Sequence, residues 1–126
     1  MKTQIVCKAA PAAIGPYSQA VLADGLLFVS GQMGVDVQTG EIPEDAASQT
    51  RLIFENMKSI LAEAGGGLDD IVRCGVFLKD MSDFAAMNEA YEGFFKAPYP
   101  ARTTIEAARL PKDVKVEIDA IALIRK

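Results

Sequence analysis

The segment YPARTTIEAARLPKDVKVEIDAIA, residues 99–122, contains two strand-like runs separated by a turn around Pro111. In the second run, apolar side chains such as Val116 alternate with charged ones, which predicts a strand with one buried face. Each run also carries one charge that a purely structural hairpin does not require, Arg102 in the first and Glu117 in the second. The segment therefore predicts the last two strands of the fold and raises the question of what these charges do.

The predicted bounds of these strands are Thr103–Ala107 and Val114–Leu123. Upstream, the runs Gln19–Ala23 and Leu26–Ser30 flank Asp24-Gly25, a dipeptide that accepts the positive φ angles of a type I′ turn. This pattern predicts a β-hairpin. An earlier run, Gln4–Lys8, is expected to add an edge strand before prolines interrupt regular structure.

Two amphipathic helices are predicted from apolar residues that recur at steps of three and four. The first helix starts at Ala46 and ends at the Gly65-Gly66-Gly67 run, and its buried stripe consists of Ala46, Thr50, Ile53, Met57, Ile60, Leu61 and Ala64. The second is expected to be capped by Ser82 or Asp83 and to stop before Pro98, with a stripe of Phe84, Met87, Tyr91, Phe94 and Phe95.

Between the helices, residues 71–78 alternate as a strand does. One face of this strand is predicted to carry Val72, Cys74, Val76 and Leu78, and the other Arg73 and Phe77. The full order is βββαβαββ, so we expect a single α+β domain over residues 1–126, with two helices on one face of a mixed six-stranded sheet. The other face mixes apolar and charged residues, which favours a homo-oligomer.

The composition excludes several kinds of site. The chain has no histidine, which removes the usual general base and zinc ligand, and its two cysteines form no metal-binding motif. The formal net charge is −4 and the basic residues are scattered, which argues against a nucleic-acid partner. No stretch is apolar enough to span a membrane, and MKTQIVCKAAPAA does not resemble a secretory signal, so a cytoplasmic location is predicted.

Arg102 and Glu117 are the leading candidates for a functional site. Arg102 follows a proline at the start of a strand, and a guanidinium on such a rigid element suits a planar carboxylate ligand; an exposed or ion-paired arginine is the alternative. Glu117 interrupts a regular strand, where a partly buried glutamate is able to orient or deprotonate water; a solvated polar face is the alternative. Glu106, on the strand expected beside it, is a rival.

Two upstream motifs add candidates. In IGPYSQA, residues 14–20, Tyr17 is able to supply a wall and a hydroxyl to a pocket, or to pack in the core or an interface. In VSGQ, residues 29–32, Gly31 is able to let backbone or ligand approach closely, and a β-bulge is the alternative.

These motifs together, in this order and with TGEIP and DFAAMNEAYEGFF between them, resemble the RidA (YjgF) family of reactive-intermediate deaminases. The resemblance covers the chain from about Ala9 onward. It implies a chorismate-mutase-like fold and a homotrimer with clefts between subunits. It also implies hydrolysis of 2-imino acids, formed from 2-aminoacrylate or 2-aminocrotonate, to 2-oxo acids and ammonia, with no metal and no cofactor.

The resemblance also implies roles for individual residues. Arg102 matches the arginine that binds the substrate carboxylate, and Glu117 matches the acidic residue that holds the attacking water. The positions that line the family's cleft correspond to Tyr17, Ser30, Gly31, Asn88 and Thr104. Thr104 stands where many members have a cysteine, and the connection over residues 96–101 is shorter than in many members, so the substrate preference is open.

Two other functions compete with the deaminase. A non-catalytic trimer that binds small 2-oxo or amino acids would use the same arginine, and the presence of Glu117 favours the enzyme over it. A ribonuclease or translation inhibitor is disfavoured by the acidic, histidine-free composition.

Overall fold

The computed structural model describes residues 1–124 of the chain. These residues form six strands and two helices: β1 (Lys2–Ile5), β2 (Ala20–Ala23), β3 (Leu26–Met33), α1 (Ala46–Glu63), β4 (Ile71–Leu78), α2 (Phe84–Glu92), β5 (Ala101–Glu106) and β6 (Val116–Leu123). The order of elements and the α+β class confirm the prediction.

The six strands form one mixed sheet in the spatial order β1-β2-β3-β6-β4-β5. The last two strands are therefore not a hairpin, and Glu106 does not lie on the strand next to Glu117, which corrects the expectation from the sequence. The reason is that α2 is a crossover connection, which lays β5 parallel to β4 on its outer edge. The strand β6 then returns between β3 and β4, antiparallel to both.

The β2–β3 hairpin is confirmed, with positive φ angles of 54° at Asp24 and 82° at Gly25. The strand β1 pairs with β2 over Lys2–Ile5, so the predicted range Gln4–Lys8 was too late. The backbone at Cys7 instead bonds to a buried side chain: its N–H donates to Gln19 Oε1 at 2.7 Å, and its carbonyl accepts from Gln19 Nε2 at 2.9 Å. These side-chain hydrogen bonds take the place of the backbone hydrogen bonds that Cys7 would make if β1 continued past Ile5.

The helix α1 begins after Asp45, whose carboxylate accepts a hydrogen bond from the Ser48 N–H at 2.8 Å. Every residue of its predicted stripe is buried. The chain leaves the helix through Gly65, at a φ of 87°. The helix packs against β3 and β6, and the core lies between these layers.

Two local predictions around β4 and α2 were wrong. A bulge between Ile71 and Arg73 shifts the register, so Val72 is exposed and Ile71 takes the buried position. Neither Ser82 nor Asp83 caps α2 with its side chain; Asp80 instead accepts from the Ser82 N–H and caps a short 3₁₀ turn that precedes the helix.

Phe84 is only partly covered, at 36% exposure, because it stands at the start of α2 next to the sheet edge. The helices leave the other face of the sheet open. That open face, defined by Phe28, Glu117, Asp119 and Ile121, mixes apolar and charged groups as the sequence predicts. Within residues 1–124, neither helix has the length and apolar character needed to cross a membrane.

Candidate active site

The side chain of Arg102 lines a cavity of about 460 Å³ at the edge of the sheet. The strand β5 positions it, and the helix α2 supplies the opposite wall. The other residues that line this cavity are Asn88, Tyr91 and Glu92 of α2, and Tyr99 and Pro100, which precede β5. Within residues 1–124 neither of the two ion pairs involves Arg102. Arg102 is half-buried. Because no carboxylate occupies its guanidinium in the described part of the chain, the N–H donors remain available to a ligand.

Two aromatic rings hold the Arg102 guanidinium. Its Cζ atom lies 4.7 Å from the ring centroid of Tyr91 and 5.6 Å from that of Phe84. Both distances fall within the range of cation–π attraction. The aromatic contacts orient the guanidinium without neutralising its charge.

Glu117 lies in a different environment, on the open face of β6. Its carboxylate touches the backbone of Gly31 so closely that a Cβ atom on that glycine would overlap it. Burial raises the pKa of Glu117, and the neighbouring Asp119 carboxylate raises it further. The carboxylate is therefore a stronger base than an exposed glutamate.

The close approach of Glu117 depends on an irregularity in β3. The register of β3 against β6 shifts between Val29 and Gln32, so Ser30 and Gly31 form a bulge. The sequence left a bulge and a close approach as alternatives for Gly31, and both occur here. The Ser30 hydroxyl donates to the Ser18 carbonyl at 2.6 Å, which fixes the segment that carries Tyr17.

Tyr17 and Gly31 line a second cavity, of about 500 Å³, together with Lys112. The Tyr17 ring is 54% exposed, and its hydroxyl accepts a hydrogen bond from the Ile14 N–H at 3.4 Å. The fold thus brings Tyr17, Ser30, Gly31 and Glu117 together in one region of its surface.

Arg102 and Asn88 lie in another region. Arg102 pairs in register with Cys74, whose side chain is buried under the helices, whereas Glu117 pairs with the half-exposed Phe77. Directly paired residues share a face of a sheet, so Arg102 and Glu117 point to opposite faces. Their strands are also separated by β4, which is a distance of about 9–10 Å. A single chain does not bring the two side chains onto one small ligand.

The remaining predicted and rival residues have distinct surroundings. Thr104 lies on the same face as Arg102, and its buried hydroxyl has no hydrogen-bond partner among residues 1–124. Glu106 accepts a hydrogen bond from the Met81 N–H at 2.8 Å, which gives it a structural role. Burial raises the pKa of the Cys74 thiol to about 11, so this thiol is unreactive at neutral pH.

The sequence did not identify Tyr91 and Tyr99 as parts of the cavity. Tyr91 was assigned to the buried stripe of the second helix, which it does join at 5% exposure. A tyrosine in an otherwise apolar stripe was the available signal, because a buried phenol normally needs a polar partner. Over residues 1–124, no cluster of three or more side chains from His, Cys, Asp and Glu could hold a metal ion.

Comparisons with known proteins place the chain in one family. The family described as Endoribonuclease L-PSP matches residues 7–124. A RutC family protein of Pyrococcus horikoshii is 51% identical over 97% of this chain and 98% of that protein. The 2-iminobutanoate/2-iminopropanoate deaminase of Escherichia coli K12 is 49% identical over 99% of this chain and 100% of the relative.

Solved structures agree with this assignment. RidA from an Antarctic Psychrobacter species has a TM-score of 0.93 at 44% identity, over 97% of this chain and 99% of that one. Escherichia coli TdcF with bound serine has a TM-score of 0.93 at 48% identity, over 98% of this chain and 99% of the other. Because sequence and structure agree over nearly the whole length, the chain belongs to the RidA (YjgF) family.

Proposed function

We propose that this protein hydrolyses reactive 2-imino acids, formed from 2-aminoacrylate or 2-aminocrotonate, to 2-oxo acids and ammonia. The proposal is supported by the name of the Escherichia coli relative, 2-iminobutanoate/2-iminopropanoate deaminase, which is 49% identical to this chain. The observation that carries it is the Arg102 guanidinium, which lines a cavity without an ion-pair partner among the described residues. We infer a cytoplasmic location for this reaction.

Arg102 binds the substrate carboxylate in this mechanism. A guanidinium offers two parallel N–H donors to a carboxylate, and the rings of Tyr91 and Phe84 lie within cation–π distance of it. The Asn88 amide lines the same cavity and supplies a further polar contact. Thr104 contributes its hydroxyl, which is otherwise without a partner among residues 1–124.

Glu117 orients the attacking water and accepts its proton. The raised pKa of this carboxyl supports the role of a base, because a base works best with a pKa near the working pH. Water adds to the C=N carbon to give a carbinolamine, and the proton passes to the nitrogen. The carbinolamine hydroxyl then gives up its proton to the nitrogen as the C–N bond breaks and the C=O bond forms, which releases ammonia and leaves the 2-oxo acid. An imine is already electrophilic, so the residues need mainly to position the two reactants.

A homotrimer completes this site. Arg102 and Asn88 come from one subunit, and the partner subunit supplies the region that holds Glu117, Gly31, Ser30 and Tyr17. Two observations support this arrangement: Arg102 and Glu117 lie on opposite faces of the sheet, and the open face exposes apolar side chains such as Phe28, at 44% exposure. The cleft between subunits then brings the carboxylate clamp and the water site to one substrate.

The test uses imine generated in place. A threonine or serine dehydratase produces the imine from its amino acid, semicarbazide traps it, and the protein diverts it to the 2-oxo acid. We expect the wild type to accelerate 2-oxo acid formation. Arg102→Ala removes a charged hydrogen bond worth about 1.5–3 kcal/mol, so activity should fall roughly tenfold to a hundredfold or more. Arg51→Ala, an exposed arginine on α1, is the matched control and should behave as wild type.

The competing function is a trimer that binds 2-oxo or amino acids without turnover. If the wild type fails to divert the imine but binds 2-oxobutyrate in calorimetry, the protein is a binder and the deaminase proposal is wrong. A nucleic-acid substrate is disfavoured by the formal net charge of −4.

A further inference from the structure

We propose that Tyr91 is a positioning residue for Arg102: the face of its ring sets the plane of the guanidinium and thereby the affinity of the site for carboxylates. The inference rests on the proposed function for the identity of the substrate. Its geometric basis, however, is independent of turnover.

Of the two aromatic rings beside Arg102, that of Tyr91 is the closer. The guanidinium Cζ atom is 4.7 Å from the Tyr91 centroid, compared with 5.6 Å from that of Phe84. Phe84 is 36% exposed, whereas Tyr91 is 5% exposed. Cation–π attraction strengthens when the pair is removed from water, so Tyr91 is the stronger of the two supports.

The ring of Tyr91 is itself fixed by packing. It meets Phe54 edge to face, with centroids 5.4 Å apart and planes at 77°, and it lies 4.9 Å from Phe95. These contacts tie the orientation of the ring to the buried core. An arginine that stacks on such a ring loses less conformational freedom when a carboxylate binds, because its plane is already set.

The Tyr91 hydroxyl does not provide this orientation. It is buried beside the Cys74 thiol and makes no hydrogen bond to Arg102. Burial raises the pKa of Tyr91, so the phenol stays neutral and places no negative charge beside the guanidinium. The support therefore comes from the ring, and a phenylalanine ring should serve as well.

The experiment compares Tyr91→Phe, Tyr91→Leu and Phe94→Leu in the full-length protein. The binding of 2-oxobutyrate is measured by calorimetry, and KM and kcat are measured for imine hydrolysis. Tyr91→Phe should match the wild type. Tyr91→Leu should weaken 2-oxobutyrate binding and raise KM by about threefold to thirtyfold, the range of a cation–π contact, while kcat changes little.

Phe94→Leu is the matched control, since it removes a ring that packs on Phe54 in the same aromatic cluster but pairs with neither Tyr91 nor Arg102 among the described residues. It should leave the affinity within about twofold of wild type. Should Tyr91→Leu fail to fold, Tyr91→Met takes its place with the same expectations, because methionine fills irregular core space.

Three results would overturn the inference: wild-type affinity in Tyr91→Leu, an equal loss in Tyr91→Phe, or an equal loss in Phe94→Leu. The first removes any role for Tyr91, the second assigns the role to the hydroxyl, and the third assigns it to general packing. A wild type that binds 2-oxobutyrate but hydrolyses no imine would refute the proposed function alone, since the affinity comparison still decides the role of Tyr91.

Discussion

The folded state disfavours the ionised form of the Glu117 carboxyl, because burial and the Asp119 carboxylate raise its pKa above the ordinary value of 4.5. A carboxyl with a raised pKa in the folded state binds its proton more tightly there than in the unfolded chain. Its ionisation therefore lowers stability as the pH rises from below 4.5 through the folded pKa.

We predict that Glu117→Gln raises the free energy of unfolding at pH 7 by a small amount, on the order of 0.2–1 kcal/mol, since solvent screens a half-exposed group. The gain should shrink and disappear below about pH 4, where the wild-type carboxyl is protonated in both states. Thermal unfolding of both proteins across this pH range checks the prediction. A gain that is constant with pH would show that the carboxylate charge is not its source.

Gly31 is the second residue with a testable role. A Cβ atom at this position would overlap the Glu117 carboxylate, which is the movable end of a side chain and not backbone. Gly31→Ala should therefore displace the carboxylate at little cost in stability. Because a misplacement of about 1 Å costs on the order of a hundredfold in rate, imine hydrolysis should fall roughly tenfold to a hundredfold.

The control for this prediction is Gly67→Ala, since a Cβ atom there meets nothing within 4 Å. Activity and unfolding midpoint are measured for both variants. If Gly31→Ala retained full activity, the close contact with Glu117 would have no functional importance.

At the scale of elements, α1 is joined to the start of β6 by the side chain of Gln49, which is only 3% exposed. Its amide nitrogen donates to the Pro43 carbonyl at 2.7 Å, and its oxygen accepts from the N–H groups of Lys115 and Val116 at 2.9 and 3.2 Å. One buried amide thus satisfies three backbone groups and sets where β6 begins, at Val116, one residue before Glu117.

We predict that Gln49→Ala destabilises the fold by about 1–3 kcal/mol for each buried backbone group that it leaves unpaired. Urea unfolding measures the loss. Gln38→Ala, at an exposed glutamine, is the control and should change stability by less than about 0.5 kcal/mol. A loss as small as that of the control would mean that water replaces the amide.

The same elements show how far the sequence predicts this fold. The stripe of α1 and the Asp24-Gly25 turn follow from local spacing, and Arg102 and Glu117 stood out because each charge interrupts a strand. The insertion of β6 between β3 and β4 did not, because strand order depends on pairings between residues far apart in sequence. The bulge that exposes Val72 was also missed, because a bulge moves a side chain to the other face of the sheet and leaves the alternation of residue types in the sequence unchanged.

At the scale of the whole molecule, the separation of Arg102 from Glu117 means that an active cleft would take one residue from each of two subunits. We call Arg102→Ala and Glu117→Gln inactive, since each should retain no more than about a tenth of wild-type activity alone. In a mixed trimer, however, an Arg102→Ala subunit still carries Glu117, and a Glu117→Gln subunit still carries Arg102. Wherever these two intact residues meet across an interface, one wild-type cleft is restored.

We predict that the two inactive variants, unfolded together in equal amounts and refolded, recover about one quarter of wild-type activity, since random ring-shaped trimers regain that share of their clefts. Each variant refolded alone, and the two mixed without unfolding, are the controls and should stay inactive. Sedimentation measures whether the protein in each sample is a trimer. If the refolded mixture stayed inactive while wild-type protein refolded the same way recovered, both residues would act within one chain, and the intersubunit cleft would be wrong.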